Sequence, residues 1–105
     1  MATLEESVAK RAGVPVVVRD GLVLVRVEHA EAYLRACEQE KTVVLGIEGF
    51  RISADDAIRA DSDAVTGWGV LPLAQSIRAS RLFVRVLTSP GLYLDFKLQE
   101  PVPPT

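Results

Sequence analysis

Residues Val14–Val27 read VPVVVRDGLVLVRV. Two runs rich in valine and leucine flank Asp20-Gly21. That dipeptide between such runs is the strongest short-range hairpin signal, because a type I′ turn needs positive φ at both central positions. A two-residue loop sets the register, with Val18 opposite Val23, Val16 opposite Val25 and Val14 opposite Val27. Alternation along each strand then collects these valines on one face. Pro15, Val17, Arg19, Leu22, Leu24 and Arg26 fall on the other. The valine face is expected to meet the core, with Pro15 at an edge or on the first rung. Left uncovered, Val14–Val18 is an aggregation hazard, so a helix or a partner chain is expected over it.

Elements on either side follow from the same kind of reading. Thr3 and Glu6 have capping-box spacing, which predicts a short helix over Leu4–Arg11 that Gly13 stops. His29–Glu40 is expected to be helical, because Ala30, Tyr33, Leu34 and Cys37 recur at i, i+3, i+4 and i+7. Thr42–Ile52 is apolar on both faces and is placed centrally in a sheet. Its Gly46 and Gly49 mark a bulge or the close approach of another backbone. Ser53–Gly69 reads as irregular, with a second capping box at Ser53 and Asp56 predicting a short helix through Arg59. A helix is expected over Pro72–Ser80. Strands Leu82–Thr88 and Leu92–Gln99 are expected to follow, joined by Ser89-Pro90-Gly91. In that hairpin Leu82 pairs with Leu98, Val84 with Phe96 and Val86 with Leu94. The opposite face pairs Arg85 with Asp95 and Phe83 with Lys97. The expected fold is a single α+β domain over residues 1–105. A mainly antiparallel sheet of about five strands carries two to four helices on one face, and 101–105 form a loose tail.

Composition narrows the function classes. The 105 residues are 49% hydrophobic and 25% charged with a net charge of −2, which suits one globular core and argues against disorder. With a pI near 5.3 there is no basic excess for phosphates, so no nucleic-acid partner is expected. Apolar runs are too short to span a bilayer, and no membrane role is expected. Met1–Gly13 lacks the apolar core of an export signal, which sets cytoplasmic localisation as the expectation. One Cys cannot form an internal disulfide, and one Cys with one His cannot build a zinc site. No metal and no cofactor are expected.

Catalytic constellations are lacking. His29 is the only imidazole, and Cys37 lies eight residues along the same predicted helix. That is about 12 Å of rise, too far for a dyad. No nucleophile elbow, phosphate-binding loop or dinucleotide motif occurs. Asp61-Ser62-Asp63 could open a calcium loop, but the sixth place is Thr66 rather than Gly. The expectation is a non-enzyme. Glu48 is a carboxylate among apolar neighbours and reads either as a solvated strand position or as a charge held at a pocket or interface. Trp68 stands between Gly67 and Gly69 and reads either as a loop anchor dropped into the core or as an exposed binding aromatic.

The stretch Glu31–Phe50, EAYLRACEQEKTVVLGIEGF, followed by Ile58–Asp63 and a C-terminal YLDF strand, resembles small bacterial proteins labelled colicin-type immunity proteins. The resemblance implies a protein that binds a toxin and blocks it with a rigid, often acidic face. The candidate contact residues are Glu48, Asp55, Asp56, Asp61, Asp63 and Trp68. Two other functions stay open: a small-molecule-binding domain with a pocket near Glu48 and Trp68, and a structural homodimer sealed through the valine strand.

Overall fold

A computed structural model describes residues 3–55, 57–87 and 91–99, with the backbone alone for 62 and 63. In chain order the elements are helix α1 (Leu4–Ala12), strands β1 (Val16–Arg19) and β2 (Leu22–Arg26), and a 3-10 turn (Val27–His29). Helix α2 (Ala30–Gln39), strands β3 (Val43–Ile52) and β4 (Ile58–Gly67), helix α3 (Leu73–Arg85) and strand β5 (Leu92–Gln99) follow. The five strands form one antiparallel sheet in the order β1-β2-β5-β3-β4. The molecule is an α+β fold whose helices pack on one face of the sheet.

The local signals behave as their chemistry requires. Thr3 accepts a hydrogen bond from the Glu6 N–H at 3.2 Å, and Gly13 ends α1 at φ 68°. Asp20 and Gly21 both take positive φ, 51° and 78°. Their turn pairs Val18 with Val23, Val17 with Leu24 and Val16 with Val25. Val14 and Val27 lie outside the ladder, Val14 buried ahead of β1 and Val27 in the 3-10 turn.

The core forms where the helices meet the sheet. Tyr33 of α2 stacks on Phe96 of β5 with ring centroids 4.6 Å apart. The Tyr33 hydroxyl donates to the Glu5 carbonyl at 3.1 Å, so one side chain ties α1, α2 and β5 together. Val25, Val44, Ile47, Leu92 and Leu94 complete the sheet side, and Val8, Leu34, Cys37 and Ile77 the helix side.

Three expectations need correction. First, the valine face does not carry all the burial. Val23 and Val25 are buried, but Val18 is 51% exposed near the turn of the outer strand. Leu24, on the opposite face, is fully buried. It shares that face with Phe50 and Tyr93, because β5 aligns Tyr93 with both Arg26 and Phe50.

Second, Ala54 and Asp55 lie in a turn rather than a helix, with Ser53 N–H donating to the Ala57 carbonyl at 2.9 Å. The segment expected to be irregular is strand β4. Asp56, the other half of the expected capping box, lies outside the described residues.

Third, Leu82–Arg85 continues α3 instead of forming a strand, and the expected hairpin with β5 does not exist. Phe96 pairs with Ile47, Leu94 with Val25 and Gly49, and Leu98 with Val44. The α3 stripe facing inward is Ser76, Ile77, Ser80, Phe83 and Val84, and Leu87 packs against the core just past the helix end. Its serines satisfy their hydroxyls within the helix, Ser76 donating to Leu73 O at 2.9 Å and Ser80 to Ser76 O at 2.7 Å. Ser89 and Pro90 of the expected hairpin loop, and the tail 101–105, lie outside the described residues. Gly91 takes φ 80°, in the left-handed region.

Strand β4 crosses β3 with a large register shift. Glu48 pairs with Val65, whereas the next residue, Gly49, pairs with Asp61. The three residues between form a bulge that folds buried Ala64 onto Gly49. A Cβ on Gly49 would sit 2.5 Å from Ala64 Cβ, 3.1 Å from Ala64 O and 3.3 Å from Leu92 Cδ1. Glycine in a strand is intrinsically weaker than alanine, so a gain would be expected from Gly49→Ala if space allowed. We expect Gly49→Ala to cost about 1–3 kcal/mol in urea unfolding, as overpacking does. Gly67→Ala is the control, since its nearest neighbour is 3.9 Å away, and it should not destabilise measurably. Equal midpoints for the two variants would refute the packing account.

Candidate functional site

The acidic segment expected to form a contact surface lies on the β3–β4 hairpin, and β4 is an outer strand of the sheet. Asp55 is exposed in the turn, where the Ser53 hydroxyl donates to its carboxylate. That bond, and then backbone N–H groups at Ala57 and Asp55, hold the Asp55 carboxyl below its ordinary range. Asp61 is half-buried on β4 and pairs with Arg51 of β3 at 3.3 Å. Asp56 and the side chain of Asp63 lie outside the described residues. Val65 stands 52% exposed on the same strand.

Glu48 lies on the sheet face away from the helices, opposite Asp95 on one side and Val65 on the other. Asp95 is only 4% exposed and binds the Lys97 ammonium at 2.5 Å. The hydrogen bond from Lys97 to Asp95 raises the Lys97 pKa, against partial desolvation, with the charges of Asp95 and Glu48 adding to it. Two carboxylates facing each other across strands would repel, and Lys97 offsets that. Glu48 is therefore part of a charge cluster on the open face. Sequence reading did not single out Asp95 and Lys97, whose signal was only their i, i+2 spacing on one strand.

Trp68 stands on the other face. It packs half-buried against the core, and its indole N–H donates to the Val44 carbonyl at 2.7 Å. Its backbone N–H donates to Leu45 O at 3.1 Å. This is the arrangement of a loop anchor. Glu48 and Trp68 do not share a pocket, since the sheet lies between them. Two cavities open on the β1 side of the molecule, and neither is walled by Glu48 or Trp68.

Cys37 is buried on α2, and burial pushes its thiol up to about 12. Such a thiol stays protonated at neutral pH and is a poor nucleophile. Burial likewise pushes the Tyr33 phenol far above its ordinary value. Among the described residues no group of three or more His, Cys, Asp or Glu side chains is placed to hold a metal ion. No described helix is long and apolar enough to cross a membrane.

No family model, curated protein or solved structure matches the chain. The functional reading therefore rests on the geometry of the molecule itself.

Two outcomes follow from this geometry. Trp68→Phe keeps an aromatic ring but leaves the Val44 carbonyl without its donor. It should cost about 1–3 kcal/mol in urea unfolding, the range for a buried polar group that loses its partner. No change in midpoint would remove the anchoring role. The second concerns pH. The unfolded chain releases the Cys37 proton near pH 9, while the folded chain holds it until about 12. Above pH 9 the unfolded state thus binds fewer protons, and stability falls as pH rises. Between pH 9 and 10 the thiol's part of the slope should rise from about 0.7 toward about 1.4 kcal/mol per pH unit, and Cys37→Ala should remove that part, leaving the share of the buried Tyr33 phenol. An unchanged slope in that variant would contradict a buried thiol.

Proposed function

We propose that the chain is a non-catalytic protein-binding module of the immunity or inhibitor type, which presents the β3–β4 hairpin to a basic partner. The observation that carries the reading is the concentration of charge on this hairpin. Residues 48–63 hold five acids, Glu48, Asp55, Asp56, Asp61 and Asp63, against Arg51 and Arg59, a local charge of −3 in a chain of −2. The rest of the molecule is thus slightly positive; of these acids Asp55 lies in the turn and Asp61 on the outer strand β4, while Glu48 lies on the inner strand β3. An acidic surface speeds encounter with a basic site and selects against acidic partners. Val65 is an exposed apolar group on the same strand, opposite Glu48 and on the sheet face away from Asp61. The toxin-like partner implied by the sequence resemblance fits this chemistry.

The test uses the full chain immobilised on beads and exposed to lysate of its own host, with captured complexes followed by amide hydrogen exchange. Protection should fall on Ile58–Val65 and the turn at Ala54 and Asp55. The double variant Asp55→Lys/Asp61→Lys should lose capture by about tenfold or more, roughly 1.4 kcal/mol. Wild-type capture should also weaken as salt is raised. Protection centred on Val16–Val18 instead would point to self-association through β1, whose Val18 is exposed. That result, or equal capture by the double variant, would overturn the proposal.

A further inference from the structure

The sheet face that holds Leu24 and Tyr93 carries a cavity at the end away from the acidic hairpin. Its volume is about 280 Å³. Pro15 and Val17 wall one side, with Arg26, His29 and Tyr93 on the other. Leu24, itself fully buried, lies beneath the floor. The hairpin register builds this wall, because Val17 pairs with Leu24 and Arg26 with Tyr93, which puts all four side chains on one face. The 3-10 turn after β2 then brings His29 to the rim.

The two nitrogen-bearing side chains at this rim are not used elsewhere. The Arg26 guanidinium stacks over the Tyr93 ring, 5.6 Å from its centroid, and among the described residues it has no carboxylate partner. Stacking on an aromatic face leaves the edge of a guanidinium, with its N–H donors, free to meet an anion. His29 occupies the N-cap position of α2 and makes no side-chain capping bond there. No acidic side chain lines the cavity. The site is therefore locally positive, apolar on one wall and separate from the acidic hairpin on the far outer strand.

The geometry points to a binding site for a small organic anion, a single carboxylate on an apolar body about the size of benzoate. The volume lies just below the usual range for ligand sites, which suits a small ligand. A planar guanidinium matches the two oxygens of a carboxylate in a bidentate pair, with the His29 imidazole as a further donor. An inorganic phosphate has more oxygens than these groups can satisfy, and the remainder would face Pro15 and Val17, where desolvation is unfavourable. The apolar body of a carboxylate ligand gains from that same wall.

Nuclear magnetic resonance titration of the full chain with benzoate tests the assignment, with benzyl alcohol and inorganic phosphate as comparison probes. Benzoate should give saturable shifts confined to Val17, Leu24–Arg26, His29 and Tyr93. Benzyl alcohol should bind at least about tenfold more weakly, since it lacks the charge that a guanidinium recognises. Phosphate should bind more weakly than benzoate. Arg26→Gln changes an exposed side chain, so the core spectrum should persist while benzoate affinity falls by about tenfold or more. Arg26→Lys keeps the charge without the fork and should fall between the two. Absence of saturable shifts, shifts centred elsewhere, equal binding of the alcohol, phosphate as tight as benzoate, or full affinity in Arg26→Gln would each overturn the inference. The site shares no residue with the β3–β4 hairpin, so neither result bears on the capture experiment.

Discussion

Past the last pair of the β3–β4 ladder, Gly46 with Gly67, strand β3 runs on with no neighbouring strand on that side among the described residues. Its backbone groups there are buried and must find other partners. The Val44 N–H donates to Ser76 Oγ at 3.3 Å, and the Val44 carbonyl accepts from the Trp68 indole at 2.7 Å. Leu45 O accepts from the Trp68 backbone. This constraint fixes where the chain leaves β4 and how α3 approaches the sheet. It also requires a hydroxyl on the buried stripe of α3, where an apolar residue would otherwise be favoured. Gly46 belongs to the same arrangement, since a Cβ there would lie 2.7 Å from Thr66 O. The last rungs of β4 can therefore lie close against β3 only because position 46 has no side chain.

How much of this was legible in the sequence depended on whether the signal was local. The β1–β2 register followed from Asp20-Gly21 because a two-residue turn leaves no freedom in pairing. The α2 stripe was legible because every inward position is apolar. Strand β3 was legible as central because both its faces are apolar. The C-terminal half of α3 was misread for an identifiable reason. Residues 82–88, LFVRVLT, alternate like a strand, and the helical period is hidden by Ser76 and Ser80 on the buried face. Their hydroxyls are satisfied by carbonyls one turn back, a solution that hydropathy does not register. Strand β4 was missed because its bulge breaks the alternation: Ala60, opposite Phe50, and Val65, opposite Glu48, share a face although they are five residues apart. Only the neighbouring strand makes sense of Asp61 and Ala64, through Arg51 and Gly49.

The candidate site was legible in composition and not in geometry. Clustering of acids between Glu48 and Asp63 is a fact of the sequence, but the outer-strand position that gives it a surface comes from topology. Glu48 separates from the rest, because Asp95 and Lys97 hold it in a charge cluster on the open face. Trp68 separates as well, because its indole N–H is committed to Val44. Of the six expected contact residues, Asp55 and Asp61 are the two whose side chains the structure places on the turn and the outer strand. Arg26 and His29 were invisible as a pair, since they are joined only through the cavity that the hairpin register creates.

An outer strand is a hazard as well as a surface, since its open hydrogen-bonding side can recruit another chain. Strand β4 carries two features that counter this. Its bulge interrupts the flat ladder that edge pairing needs, and Asp61 and Arg59 place charge along it. The other outer strand, β1, is only four residues long and ends in Arg19. Short length limits pairing there as the bulge and charges do on β4. Indiscriminate edge pairing is thus discouraged on both sides of the sheet, while the acidic field on β4 remains. On the proposed reading, that combination is what makes the hairpin selective: a partner gains little from the interrupted backbone ladder, and must bring complementary basic groups to bind.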